Sequence, residues 1–328
     1  YPPDSEECQY VQELEQKAEQ GDESAQFALG SWYAEGRYVK PDYKLAIKWL
    51  EKAGKQGSDF SYFILGYHYN YGENFPLSRQ KALEWYRKAA ELGDSSTQEI
   101  LGDAYMYGDG FPQNTQLALE WYRRAAAQGL AEAQDAIGVM FMQGEGVSQD
   151  YQQALAWYRK AARQGLPAAQ THLGIMSAFG RGVAQSDRQA IAWYRKAAKQ
   201  DFAKAQYQLG VAYSTGRGVP ENSRNALKWY LKAAEQGFTP AQLALGEIYA
   251  HGRQGVPKDN KQAYIWYYMA SIYTEKSKDD CSALIAERNR LKGTLTPDQL
   301  SETYAAFDLI RRKINQSKEA KKIARKKY

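Results

Sequence analysis

Between residues 130 and 165 the apolar positions fall on helical spacing twice, with a break between. In the first stretch, Ala131–Gln143, Ala133, Ile137 and Phe141 recur every fourth residue and predict one amphipathic helix. "GEGV" then interrupts it, because a glycine just past a helix end closes the last turn with a positive φ. Ala154, Trp157, Tyr158, Ala161 and Ala162 form a second stripe. It predicts a helix over about Tyr151–Gln164, with Asp150 as N-cap and Gly165 as its stop. Each helix has about 13 residues and spans roughly 20 Å.

The same pattern repeats along the chain. Trp49, Trp85, Trp121, Trp157, Trp193 and Trp229 stand 36 residues apart, and Trp266 follows at 37 because "HGRQGV" is one residue longer. Gly30 through Gly246 and Gly36 through Gly252 form two further series in the same phase. A glycine inside the first helix costs about 1 kcal/mol against alanine. Its return in seven copies predicts a close helix crossing at that point. One unit cannot bury its own stripes, so neighbours must stack. On this reading the tryptophan of "WYRKAA", set among alanines, belongs to the seam between helices, and the Arg and Lys to a solvated edge.

The pattern A-x-x-x-L-G-x-x-Y…G-x-G-V…A-x-x-W-Y-x-K-A-A-x-x-G resembles the Sel1-like repeat of bacterial type, a relative of the tetratricopeptide repeat, over about residues 22–274. The resemblance implies an all-α, right-handed superhelical solenoid of about seven helix–turn–helix repeats with helical caps. Residues 1–21 ("VQELEQKAEQG") would be an N-terminal half-repeat. Residues 275–328 would be C-terminal capping helices, with "CSALIAERNRLKG" as one helix and "LTPDQL" starting another, Thr296 as N-cap and Pro297 in its first turn. Departures are local. Tyr38 and Asn74 replace the second turn glycine, Asp201 replaces an inter-repeat glycine, and Ser177 replaces an aromatic residue, which is expected to loosen the packing there.

By the same resemblance the first helices line a concave groove. Its lining positions follow the recurring Gln and Gly: Phe27, Phe63, Tyr67, Asn70, Tyr71, Glu99, Asp103, Met106, Tyr107, Met142, Phe179 and Tyr207, with Ser31, Glu35 and Glu247 at equivalent places; packing of several of them between neighbouring repeats is the alternative. The resemblance implies a protein-binding adaptor or scaffold. Bacterial relatives are often exported, and some are immunity proteins for secreted phospholipase toxins. A periplasmic or secreted location follows as the expectation, with a cytoplasmic one as the alternative. Envelope adaptor, host-contact protein and glycan or peptidoglycan binder remain alternative roles, since aromatic grooves also stack on sugar rings.

Composition narrows the choice. Net charge is +5, but residues 311–328 alone carry +8, so the remaining body sums to −3. A folded nucleic-acid face is therefore not expected. For the tail, contact with an anionic membrane surface or acidic partner and a solvated helix end both stay open. No apolar run reaches the roughly 20 residues of a membrane helix. Cys8 and Cys281 form no metal spacing, though one bridge would be allowed if the ends met. His68, His172 and His251 are scattered, and no phosphate loop, calcium loop or nucleophile motif is present. No catalytic residue, metal site or cofactor is expected. The chain begins at Tyr1 rather than Met, which leaves a removed signal peptide and a trimmed boundary both open.

Overall fold

The computed structural model describes residues 6–72, 74–253, 255–274 and 282–326; Cys281 and the side chain of Cys8 lie outside the described part. The described residues form 17 helices and no strand, an all-α solenoid of stacked helix pairs. They fall into two compact units, Tyr1–Ala161 and Ala162–Tyr328. The N-terminal unit begins with α1 (Glu6–Glu19) and continues through the pairs α2 (Glu23–Glu35) and α3 (Tyr43–Lys55), α4 (Asp59–Tyr71) and α5 (Arg79–Leu92), α6 (Ser95–Tyr107) and α7 (Thr115–Ala127), and α8 (Ala131–Gln143) and α9 (Tyr151–Arg163). The C-terminal unit holds α10 (Pro167–Phe179) and α11 (Asp187–Ala198), α12 (Ala203–Thr215) and α13 (Ser223–Ala234), and α14 (Thr239–His251) and α15 (Asn260–Thr274), then α16 (Ser282–Lys292) and α17 (Pro297–Lys326).

Local signals set these boundaries. Asp150 Oδ1 accepts from the backbone N–H groups of Gln152 and Gln153, the expected cap of α9. Thr296 and Gln299 form a reciprocal capping box at the start of α17. Tyr38, Asn74 and Asp201, which replace turn glycines, are the non-glycine residues with positive φ among the described residues. Such a conformation costs an L-residue about 1–2 kcal/mol. Each has an offsetting contact: the Tyr38 ring against Trp32 at 4.7 Å, Asn74 Nδ2 donating to Ala34 O, and Asp201 Oδ1 accepting from Gln206 Nε2. Ser177 does not leave a gap, since it is buried and its hydroxyl donates to Leu173 O.

The close crossing expected at the helix glycine is present, but the residue that fills it is the tyrosine, not the tryptophan. A Cβ on Gly138 would lie 2.6 Å from Tyr158 Cδ1, and one on Gly210 would lie 2.6 Å from Tyr230. In the first repeat Leu50 takes that place against Gly30. The tryptophans flank the seam. Trp49, Trp121 and Trp266 are buried, whereas Trp85, Trp157, Trp193 and Trp229 are half-buried. Nor is the basic residue three positions on a bare solvated edge. Lys52, Lys88, Arg124, Lys160, Lys196 and Lys232 each lie over the preceding indole, 4.0 to 4.9 Å from its centroid. The side chain thus covers the outer ring face while its charge stays in water.

A buried glutamine ladder ties consecutive repeats. Gln98 Nε2 donates to Ala90 O at 3.0 Å, and its Oε1 accepts from Gln128 Nε2 at 3.0 Å, which also reaches Gly93 O. Gln26 with Gln56 and Gln170 with Gln200 repeat the motif. Gln98→Leu leaves the buried Ala90 carbonyl without this partner, so about 1–3 kcal/mol of stability should be lost in urea denaturation, although leucine adds apolar surface.

At the C-terminal end, Phe307 of α17 stacks on Tyr268 at 4.2 Å, Ile314 is fully buried, and Lys313 pairs with Glu235 at 3.0 Å. The first part of the basic segment is therefore docked rather than a frayed end; the side chains beyond residue 316 lie outside the described part.

Candidate functional site

In the N-terminal unit the first helix of each repeat carries aromatic or acidic residues at its variable positions, and α2 and α4 touch directly. Helix α4 supplies the row. Phe60, Phe63, Tyr67 and Tyr71 sit three or four residues apart and so share a face. Phe60 and Phe63 stack at 5.7 Å, Phe63 approaches Tyr67 at 6.5 Å, and Tyr67 approaches Tyr71 at 4.6 Å. Phe27 of α2 joins through Phe60 at 5.6 Å. Phe60 is 53% exposed, Tyr71 46% and Tyr107, on α6, 75%. Exposed rings grouped in this way mark an interaction surface rather than a core.

Polar groups frame the row. Asn70 Oδ1 accepts from Arg79 Nη1 at 3.0 Å, and Arg79 also pairs with Asp109 at 2.9 Å. Glu99 is half-buried on α6. Asp103 Oδ1 accepts from the Tyr122 hydroxyl at 2.6 Å. The seam tyrosine thus packs its ring inside and delivers its hydroxyl to the first-helix face. Tyr158 likewise donates to Met142 Sδ at 3.6 Å. Burial, and then the Asp103 contact, push the Tyr122 hydroxyl far above its ordinary range, so it remains a donor.

Asp103 itself is raised above its ordinary 3.8, chiefly by burial, against lowering by Tyr122 and Arg79. A raised acid means the folded chain holds the charge less readily than the unfolded chain. The cost is absent below the unfolded pKa and grows as the pH rises above 3.8 through the folded pKa. Asp103→Asn, which keeps an oxygen for Tyr122, should therefore raise the melting temperature at pH 7. The advantage should vanish as the pH falls below 3.8.

Not every expected residue belongs to this surface. Met106 is 6% exposed and packs in the core with Leu119 and Tyr122, so it cannot face a partner. Positions four and five after the glycine are neighbours on one helix, and α6 turns the methionine in and Tyr107 out. Ser31 Oγ is buried without a hydrogen-bond partner, and Glu35 is exposed. Phe179, Tyr207 and Glu247 lie in the C-terminal unit. There Tyr207 packs on Tyr230 and Phe238, while Phe179 is exposed with Arg181 and Arg217 near its ring. Phe60, absent from the expected set, was signalled by its place three residues before Phe63. Among the described residues no group of three or more His, Cys, Asp or Glu side chains could hold a metal ion. None of the described helices is long and apolar enough to cross a membrane.

The family model described as "Sel1 repeat" matches seven segments, residues 23–58, 60–94, 95–130, 131–166, 167–202, 203–238 and 239–271. No curated protein matches the chain significantly. Among solved structures, a Sel1 repeat protein from Oxalobacter formigenes is 34% identical with a TM-score of 0.70, over 85% of this chain and 80% of its own. The protein c5321, a protective antigen of uropathogenic Escherichia coli strains with an SLR fold, is 32% identical with a TM-score of 0.65 over 92% of this chain. This chain spans 63% of that antigen's length. The immunity protein Pa5087 from Pseudomonas aeruginosa is 24% identical with a TM-score of 0.46, over 59% of this chain and 74% of its own, too distant to bear on function.

Proposed function

Because the chain belongs to the Sel1 repeat family, a family of generally non-catalytic scaffolds, we propose that it is a binding solenoid without enzymatic activity. It takes a protein partner on the first-helix face of its N-terminal unit. The observation that carries this reading is the row Phe60–Phe63–Tyr67–Tyr71, with Tyr107 one repeat on from Tyr71: aromatic rings on helices, of which Phe60, Tyr71 and Tyr107 are exposed to solvent. Tyrosine and phenylalanine in such positions lose little side-chain entropy on binding and anchor protein interfaces.

The family resemblance supplies a specific occupant: a secreted phospholipase toxin, blocked by this chain as its immunity protein in the periplasm or outside the cell. An envelope adaptor or host-contact role uses the same face. The exposed rings of Tyr71 and Tyr107 also favour a glycan as second reading, since sugar rings stack on aromatic faces.

Replacing Phe60, Tyr71 and Tyr107 together by Ser tests the site. All three are exposed, so stability should change little. The expected result is that a partner co-purified with the native chain from envelope fractions is lost from the triple variant and kept by Glu84→Gln on a second helix. Unchanged recovery by the triple variant would remove the site. Saturable binding of peptidoglycan fragments, abolished by the triple variant, would favour the glycan reading instead.

A further inference from the structure

The two kinds of helix in the N-terminal unit differ in charge as well as position. The first helices, α2, α4, α6 and α8, contain no Lys or Arg, and their charged side chains are carboxylates, Glu35, Glu99, Asp103 and Asp135 among them. The helix dipole explains acids in a first turn, such as Glu23, Asp59 and Glu132. The same dipole favours cations in a last turn, and the second helices use that preference with Lys52 and Lys55 in α3 and Arg124 in α7. The first helices place no Lys or Arg there, so helix stability does not account for the segregation.

An independent observation concerns the rings. Tyr71 follows its helix glycine, Gly66, by five residues, and the residue three repeats later is Phe179, five after Gly174. Phe179, itself 59% exposed, has cations of its own chain near its ring: Arg181 lies 5.4 Å and Arg217 5.9 Å from the centroid. Arg217, in a turn, pairs with Asp187 at the start of a second helix, 3.1 Å away. In the N-terminal unit the equivalent pair is reversed. Arg79 starts the second helix and Asp109 occupies the turn. Where Phe179 meets a turn arginine, Tyr71 has a turn carboxylate in register. The guanidinium of Arg79 is taken up by Asp109 and Asn70.

We infer that the first-helix face of the N-terminal unit selects a lysine- or arginine-rich segment of its protein partner, with the partner's cations over the exposed rings and against the carboxylates. This rests on the protein-binding reading of the same face and adds the chemistry of the occupant. The chain already uses such contacts internally, at six tryptophans. The whole chain carries +5, so general attraction cannot bring a cationic segment to it; only a locally acidic face can.

The test is fluorescence anisotropy on the full chain, with a short fluorescein-labelled peptide of alternating arginine and glycine as probe. Its citrulline counterpart keeps the shape and removes the charge. Saturable binding of the arginine peptide is expected, with none for citrulline. Tyr71→Ser with Tyr107→Ser, which leaves every charge in place, should weaken binding about tenfold. Glu99→Gln with Asp103→Asn should weaken it and flatten its salt dependence. Glu84→Gln with Glu120→Gln, the same charge change on second helices, should leave it unaltered. Citrulline binding as tightly as arginine, no arginine binding, or binding indifferent to both first-helix pairs would overturn the inference. If capture of the native partner still depends on Phe60, Tyr71 and Tyr107 after such a failure, cationic selectivity alone is lost. If that dependence fails as well, the face itself is lost.

Discussion

Tyr158→Ala should cost about 3–5 kcal/mol, more than Trp157→Ala beside it, although tryptophan is the larger side chain. Tyr158 is 0% exposed and fills the crossing above Gly138, whereas Trp157 is half-buried and its outer face is covered by Lys160 at 4.0 Å. Removing the tyrosine opens a cavity between two helices that cannot collapse far, because α8 is also held against α7 on its other side. Removing the tryptophan exposes a surface that water can reach. Tyr158→Phe should cost much less than Tyr158→Ala, since it keeps the ring in the crossing and gives up only the hydroxyl, which reaches Met142 Sδ among its contacts. Urea denaturation followed by circular dichroism checks the order. An equal or larger loss for Trp157→Ala would show that the indole, not the phenol, closes the seam. In a solenoid each repeat contacts only its neighbours, so hydrogen exchange should find the damage centred on α8 and α9.

Gly138→Ala is expected to destabilise by about 1–3 kcal/mol net. In an isolated helix the same change would stabilise by about 1 kcal/mol. The added methyl would lie 2.6 Å from both Cδ1 and Cε1 of Tyr158, far inside contact distance, so α8 and α9 must separate or the ring must leave its rotamer. The sign should therefore reverse in the Tyr158→Ala background. There the clash is gone, and the alanine should stabilise by about 1 kcal/mol through helix propensity. A double-mutant cycle measures this coupling. Additive effects would mean that the glycine is kept for some other reason.

Both expectations turn on a choice between adjacent residues that recur with the same 36-residue period. The period identified the helices, the stacking, the close glycine crossing and the turn positions of Tyr38, Asn74 and Asp201. It could not separate Trp157 from Tyr158, because side chains one residue apart both fall within the broad apolar stripe of a helix. The same ambiguity put Met106 beside Tyr107 among the expected partner residues, although only the tyrosine faces outward. The absence of Lys and Arg from the first helices of the N-terminal unit was legible all along. It gains meaning only once those helices are seen to share a face.

The sequence by itself determined the repeat unit, because capping, turn glycines and apolar spacing act within one repeat and leave local marks. Only the tertiary structure decided which ring closes each seam, which cation covers each indole and which aromatic residues remain open. Those outcomes depend on the height and angle at which one helix meets the next. That geometry is set by packing across residues about 20 apart, such as Gly138 and Tyr158, and no local periodicity encodes it.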